Sequence, residues 1–180
     1  MLPGFPEKSR YLFQNSNMKT IITVLLIAMT CPFCTTSYYV VRHAEKVDNS
    51  ADPPLSPAGR QRALALRDSL RSKHIDTIFS TGFKRTQQTV EPLAVETGKS
   101  IRTYTGSVEN VITELNHINN KRVLVAGHSN TVPQIVQGLS GRSVSAIADN
   151  DFDNLYIIRV RKLIGTKRTL KHVTYGVPSP

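Results

Sequence analysis

From residue 37 onward the chain alternates short apolar runs with longer amphipathic stretches. The first run, "YYVV" at 38–41, reads as a buried strand and leads straight into Arg42, His43 and Glu45. "SPAGRQRALALRDSLRSK" (56–73) predicts a helix: Ser56 can cap it, Pro57 suits its first turn, and Ala63, Leu66 and Leu70 share one face. "IDTIFS" (75–80) is the next strand, and "KRTQQTVEPLAVETG" (84–98) a helix that Pro92 is expected to kink and Gly98 to end. "IRTY" (101–104) predicts a short strand, followed by a helix near 107–119. "KRVLVAG" (121–127) is the clearest buried strand, with "TVPQIVQGL" (131–139) as the helix after it. "NLYIIRV" (154–160) and "LKHVTY" (170–175) predict a closing antiparallel pair. Strands alternating with helices imply an α/β fold, with a mainly parallel central sheet covered by helices on both faces.

The N-terminus breaks this pattern. Lys19 precedes "IITVLLIAM" (21–29), an apolar run followed by "TCPFCTTS". A nine-residue apolar run of this kind matches the core of a signal peptide and falls short of the roughly 20 needed to span a bilayer. Residues 1–36 are therefore expected to be an N-terminal extension and signal peptide, with Met18 placed to be the true start, and residues 37–180 the folded domain. Export to the periplasm or cell envelope follows from that expectation, with membrane contact limited to this segment or to a lipid on Cys31. "CPFC" has redox spacing, but it follows the apolar run instead of opening a helix after a strand, so redox chemistry is not expected.

Composition narrows the chemistry. The chain has 180 residues, enough for one domain with a substantial core. Its 23 Lys and Arg against 13 Asp and Glu favour anionic partners, phosphorylated small molecules above all. The basic residues are scattered and match no nucleic-acid-binding signature, so nucleic acid is not an expected partner. No cysteine follows Cys34, which excludes a cysteine-dependent phosphatase or protease and a disulfide framework. His43, His74, His117, His128 and His172 lack metal-ligand spacing, and neither a metal nor a cofactor is expected.

Ligands of such sheets bind beyond the carboxyl ends of the strands. Those ends carry Arg42 and His43 on the first strand, Ser80 followed by Arg85 on the second, and Gly127 with His128 on the buried strand. A phosphoryl group suits two arginines and two histidines at one rim, because the guanidinium fork matches its oxygens and helix N-termini add donors. The expected partner for the charge of Arg42 is then the substrate.

Four blocks resemble the histidine phosphatase superfamily, the phosphoglycerate-mutase-like fold. "VRHAEK" is similar to its Arg-His-Gly segment, and "LSPAGRQRA" to its Leu-Ser/Thr-x-x-Gly helix start. "FSTGFKRTQQT" is similar to its Ser-Ser-x-x-x-Arg-Ala-x-Gln-Thr block, and "VLVAGHSNT" to its Gly-His segment. The resemblance covers about 38–136 and implies a three-layer sandwich in which His43 is the nucleophile, transiently phosphorylated, without a metal. It implies that Arg42, Arg85 and His128 hold the phosphoryl oxygens. The flanking arginines are expected to lower the pKa of His43 and keep it neutral.

Departures leave the proton donor open. Ser129 follows His128 where one branch of the family has Asp, so Glu109 is preferred and Glu114 is the other candidate. Glu45 is expected to orient the loop, and Asn49 stands where mutase-like members carry a phosphate-binding Asn. The expected reaction is hydrolysis of phosphate monoesters. If Glu109 is idle, the short protein-phosphohistidine phosphatases become the better template, since a phosphoramidate nitrogen can be protonated beforehand. Two rivals remain at the sequence level. A serine esterase would use Ser129 in "GHSNT" with an Asp among 149–153 and His172. The other rival is a non-catalytic binder of phospho-ligands. Oligomeric state is not readable from the sequence.

Overall fold

The computed structural model describes residues 35–179. The predicted signal segment, Met18, Cys31 and Cys34 lie outside them. The elements are β1 (Thr35–Arg42), α1 (Pro57–Leu70), β2 (Thr77–Ser80), α2 (Lys84–Thr97), β3 (Ile101–Thr103), α3 (Val108–His117), β4 (Arg122–Gly127), α4 (Val132–Ser140), β5 (Asn154–Leu163) and β6 (Gly165–Thr174). They form a six-stranded sheet in the order β3-β2-β4-β1-β5-β6. The first four strands of that order pair in parallel, and β5 and β6 add an antiparallel edge. This is the α/β three-layer sandwich expected, with a mainly parallel sheet flanked by helices.

Alternation along β1 divides the core. Tyr38 and Val40 face α3 and α4, packing with Val111, Leu115, Ile135 and Leu139. Tyr39 and Val41 face α1 and α2, packing with Leu66, Leu70, Val90 and Leu93. The Tyr38 hydroxyl, buried in this core, donates to the Leu115 carbonyl at 2.7 Å and so is not left unpaired.

The helix signals hold at atomic detail. Ser56 Oγ accepts the Gly59 amide at 3.0 Å, with Pro57 in the first helical turn. Gly98 closes α2 at φ +64°, where a side chain would be strained. α2 runs unbroken through Pro92. α1 stops at Leu70, three residues short of expectation, and Arg71–Lys73 tighten into a 3-10 turn ended by His74 in the left-handed region. β5 and β6 are much longer than the pattern predicted, because both faces of their distal half are exposed and no apolar alternation marks them.

Candidate active site

The rim at the carboxyl ends of β1, β2 and β4 gathers Arg42, His43, Arg85 and His128. β1 ends at Arg42 and pairs with Gly127 at the end of β4, and the His43 amide donates to the Gly127 carbonyl at 2.9 Å. This register sets the two histidines side by side, with ring centroids 5.5 Å apart. Arg85 lies in the first turn of α2, its guanidinium carbon 4.4 Å from the centre of the Phe83 ring. Phe83 in turn meets His128 edge-on at 5.2 Å.

His43 is buried, and its Nδ1 lies 2.7 Å from the Ala44 carbonyl. A carbonyl can only accept, so Nδ1 carries the proton and Nε2 keeps its lone pair. His43 has its pKa lowered to about 3, chiefly by burial. The Ala44 carbonyl works against that shift, while Arg42, His128 and Arg85 add to it. The sequence reading credited the arginines, but desolvation is the larger cause. His128 is lowered to about 4, again first by burial and then by Arg85 and Arg42.

Arg42 is held from behind. Its Nη1 donates to the carbonyls of Ala148 (2.6 Å) and Asp151 (3.0 Å), and its guanidinium stacks 4.3 Å from the Phe152 ring centre. Its Nε is buried and has no hydrogen-bond partner among the described residues. The carbonyls fix the geometry of the arginine, while the carboxylates of Asp149, Asp151 and Glu45 offset part of the cost of burying its charge. Sequence reasoning missed this loop, because backbone carbonyls leave no signature.

It also missed the threonines that set the rim. Thr89 Oγ1 accepts the Ala44 amide at 2.9 Å and donates to the Arg85 carbonyl at 2.7 Å, tying the His43 loop to the helix that carries Arg85. Gln88 Oε1 accepts the Leu55 amide at 2.8 Å. These two contacts explain why "QT" follows the arginine. The Thr86 hydroxyl donates to the Phe83 carbonyl at 2.8 Å and accepts from Thr81 at 2.6 Å. Thr81 Oγ1 is thereby left to accept from His128 Nε2 at 3.1 Å. His128 thus has a fixed ring orientation. Glu45 receives a forked pair of bonds from Arg62 of α1, at 2.7–3.0 Å, and so orients the loop after β1 as expected.

Among the described residues, two predicted site residues, Glu109 and Asn49, make no hydrogen bond or ion pair with the four. Glu109 is exposed in the first turn of α3, where backbone and Ser107 hydrogen bonds hold its carboxyl below the usual range. The N-terminus of a helix favours the ionised form of a carboxylate. Glu114 pairs with Arg102 at 3.2 Å on the surface. Asn49 lies in an exposed turn and accepts from Lys46 Nζ at 2.6 Å. The esterase triad does not assemble among the described residues. His172 bonds Asn154 at 2.6 Å and stacks on Tyr156, and Asp153 takes the Ser179 amide.

Beside His128 lies a largely apolar cleft of about 550 Å³, lined by Phe83, Tyr104, Val108 and Thr131 among others. It offers room for the part of a substrate that departs from the phosphoryl group.

Comparison with known proteins places these features. The model of the histidine phosphatase superfamily (branch 1) matches residues 38–106, which include Arg42, His43 and Arg85 and end before His128. No curated protein matches the chain. Among solved structures, the fold is similar to that of the protein histidine phosphatase SixA complexed with tungstate, at 18% identity and a TM-score of 0.64, covering 77% of this chain and 96% of that one. A SixA from Nakamurella multipartitia matches at 21% identity and a TM-score of 0.57, over 80% and 96% of the two chains. A mycobacterial glucosyl-3-phosphoglycerate phosphatase with inorganic phosphate matches at 13% and 0.60, over 75% and 95%. At these identities the likeness is one of fold. Beside it stands the match to the histidine phosphatase superfamily model over residues 38–106, which spans the segments bearing Arg42, His43 and Arg85.

Proposed function

We propose that the chain hydrolyses phosphate monoesters through a phosphohistidine formed on His43. The observation that carries this is the bond from His43 Nδ1 to the Ala44 carbonyl, which leaves Nε2 as a neutral nucleophile beside two guanidinium groups. In the first step the Nε2 lone pair attacks phosphorus, an N–P bond forms, and the bond to the leaving group breaks with its electron pair. Arg42, Arg85 and His128 stabilise the charge spread over the equatorial oxygens. In the second step a water oxygen attacks phosphorus, its proton passes to solvent, and Nε2 recovers its lone pair as phosphate departs. No metal takes part in this route.

Export to the periplasm or cell envelope is proposed with it, on the strength of the 21–29 apolar run. A second substrate reading has its own support. Glu109 is exposed, and hydrogen bonds at the start of α3 favour its ionised form, which supports a reaction that does not depend on a proton from it. Substrates that leave without such help, aryl phosphates and protein phosphohistidine, then turn over faster than alkyl phosphates.

A p-nitrophenyl phosphate assay tests the core of the proposal. His43→Ala abolishes turnover, Ser129→Ala keeps most of it, and EDTA changes nothing. Enzyme quenched during turnover carries a phosphoryl group that is labile in acid and stable in base. Loss of activity in Ser129→Ala, with His43→Ala active, would hand the reaction to the serine.

A further inference from the structure

The β5–β6 hairpin leaves the sheet at the end opposite the active site. Among the described residues, β5 is paired with β1 as far as Arg161, which lies opposite Thr35, while residues 162–166 pair within the hairpin alone. At its tip Ile164 is 100% exposed and Leu163 61% exposed. Cations surround them: Arg159, Arg161 and Lys162 on β5, and Lys167, Arg168 and Lys171 on β6. No Asp or Glu occurs after Asp153.

Strand pairing concentrates this charge. Arg161 lies directly opposite Lys167, a like-charge pair that weakens a hairpin when nothing intervenes. Arg122 of β4 and Arg159 flank Ser37 of β1 from either side. Among the described residues, none of the hairpin cations enters an ion pair, although the Lys162 ammonium is held by Asn119 Oδ1 at 2.8 Å. Basic residues that look scattered along the sequence thus form one field.

Lysines on an edge strand discourage pairing with another sheet, which accounts for Lys167 and Lys171 on β6. That role does not reach Arg159 and Arg161, which lie on the inner strand β5. Nor does it explain two fully presented aliphatic side chains at the tip. Apolar residues ringed by cations complement a surface that is anionic outside and oily within. Nucleic acid would reward the charge and leave Leu163 and Ile164 without a role, and between Tyr156 and Tyr175 the one ring, that of His172, is already stacked on Tyr156.

We propose that this hairpin docks the protein on an anionic lipid bilayer, with Leu163 and Ile164 entering the interface and Arg161, Lys167, Arg168 and Lys171 meeting the headgroups. Docking at this end leaves the rim bearing His43 turned toward water, so the arrangement suits a soluble substrate. The proposal is independent of the phosphatase chemistry.

Co-sedimentation of the full chain with vesicles tests it, using phosphatidylcholine alone or mixed with phosphatidylglycerol. The wild type is expected to prefer the anionic vesicles and to lose that preference as salt is raised. The double variants Leu163→Ser/Ile164→Ser and Arg161→Glu/Lys167→Glu each weaken anionic binding by about tenfold or more, with turnover of p-nitrophenyl phosphate unchanged. The chain contains no tryptophan, so Ile164→Trp supplies a single fluorophore whose emission shifts to the blue on anionic vesicles. Variants that bind anionic vesicles like the wild type, an absence of preference for anionic lipid, or an unshifted Trp emission would each overturn it. A polynucleotide that loses affinity for the variants while vesicles keep theirs would overturn it in favour of nucleic acid.

Discussion

Burial makes His43 and His128 weak bases, with pKa values near 3 and 4, and this has consequences beyond catalysis. Each folded-state value lies below the ordinary 6.5, so in the interval between them the unfolded chain binds more protons than the folded one. These two residues therefore destabilise the fold progressively as pH drops from about 6.5 toward 3, and contribute no pH dependence above that range. Imidazole C2-proton resonances, assigned by His43→Asn and His128→Asn, are expected to hold their neutral shifts down to pH about 5. A titration of either near 6.5 would contradict the burial. At this scale the sequence was informative for residues whose side chains do the chemistry: Arg42, His43, Arg85 and His128 stand out because charge at the end of an apolar run is costly without a reason. It was uninformative for the groups behind them. Thr81 and the carbonyls of Ala148 and Asp151 act through atoms that many residue types could supply.

Among the elements, the loop after β1 is held by α1 and by α2, and each contact can be cut. Gly59 brings α1 so close to that loop that an added Cβ would meet the Glu45 carbonyl oxygen. Gly59→Ala is expected to cost about 3 kcal/mol in urea unfolding, with a parallel loss of turnover as the loop shifts. Thr89→Val keeps the shape but strands the buried Ala44 amide. It should cost about 1–3 kcal/mol and lower kcat more than it raises KM, since His43 follows Ala44 in position. A Thr89→Ser protein, which restores the hydroxyl, should recover most of both. Helices were legible wherever capping chemistry marked their ends, as at Ser56 and Gly98. The distal hairpin was not, because alternation needs an inside and an outside, and beyond Val160 both faces meet solvent.

The whole molecule carries a formal net charge of +10, and its catalytic rim adds two arginines to that field. An anionic substrate is drawn in over distances comparable to the Debye length, about 10 Å at 0.1 M salt. kcat/KM for a phosphate ester is therefore expected to fall as sodium chloride is raised from low to physiological concentration, with kcat nearly constant. A flat salt profile would show that the field plays no part in capture. The fold class was readable from strand–helix alternation. What pattern alone left out is the contribution of Ala148–Phe152, a stretch without periodicity that completes the rim from behind.

That backing of Arg42 by uncharged carbonyls has a thermodynamic side. A buried guanidinium whose Nε meets no acceptor among the described residues is a cost carried by the free protein, which an arriving oxyanion can relieve. Phosphate or tungstate should accordingly act as a folding ligand, raising the thermal midpoint by the equivalent of about 2.7 kcal/mol at a hundredfold excess over its dissociation constant. Arg42→Lys, a compact cation unable to span the same carbonyls, should melt near the wild type's unliganded temperature and respond far less to the anion.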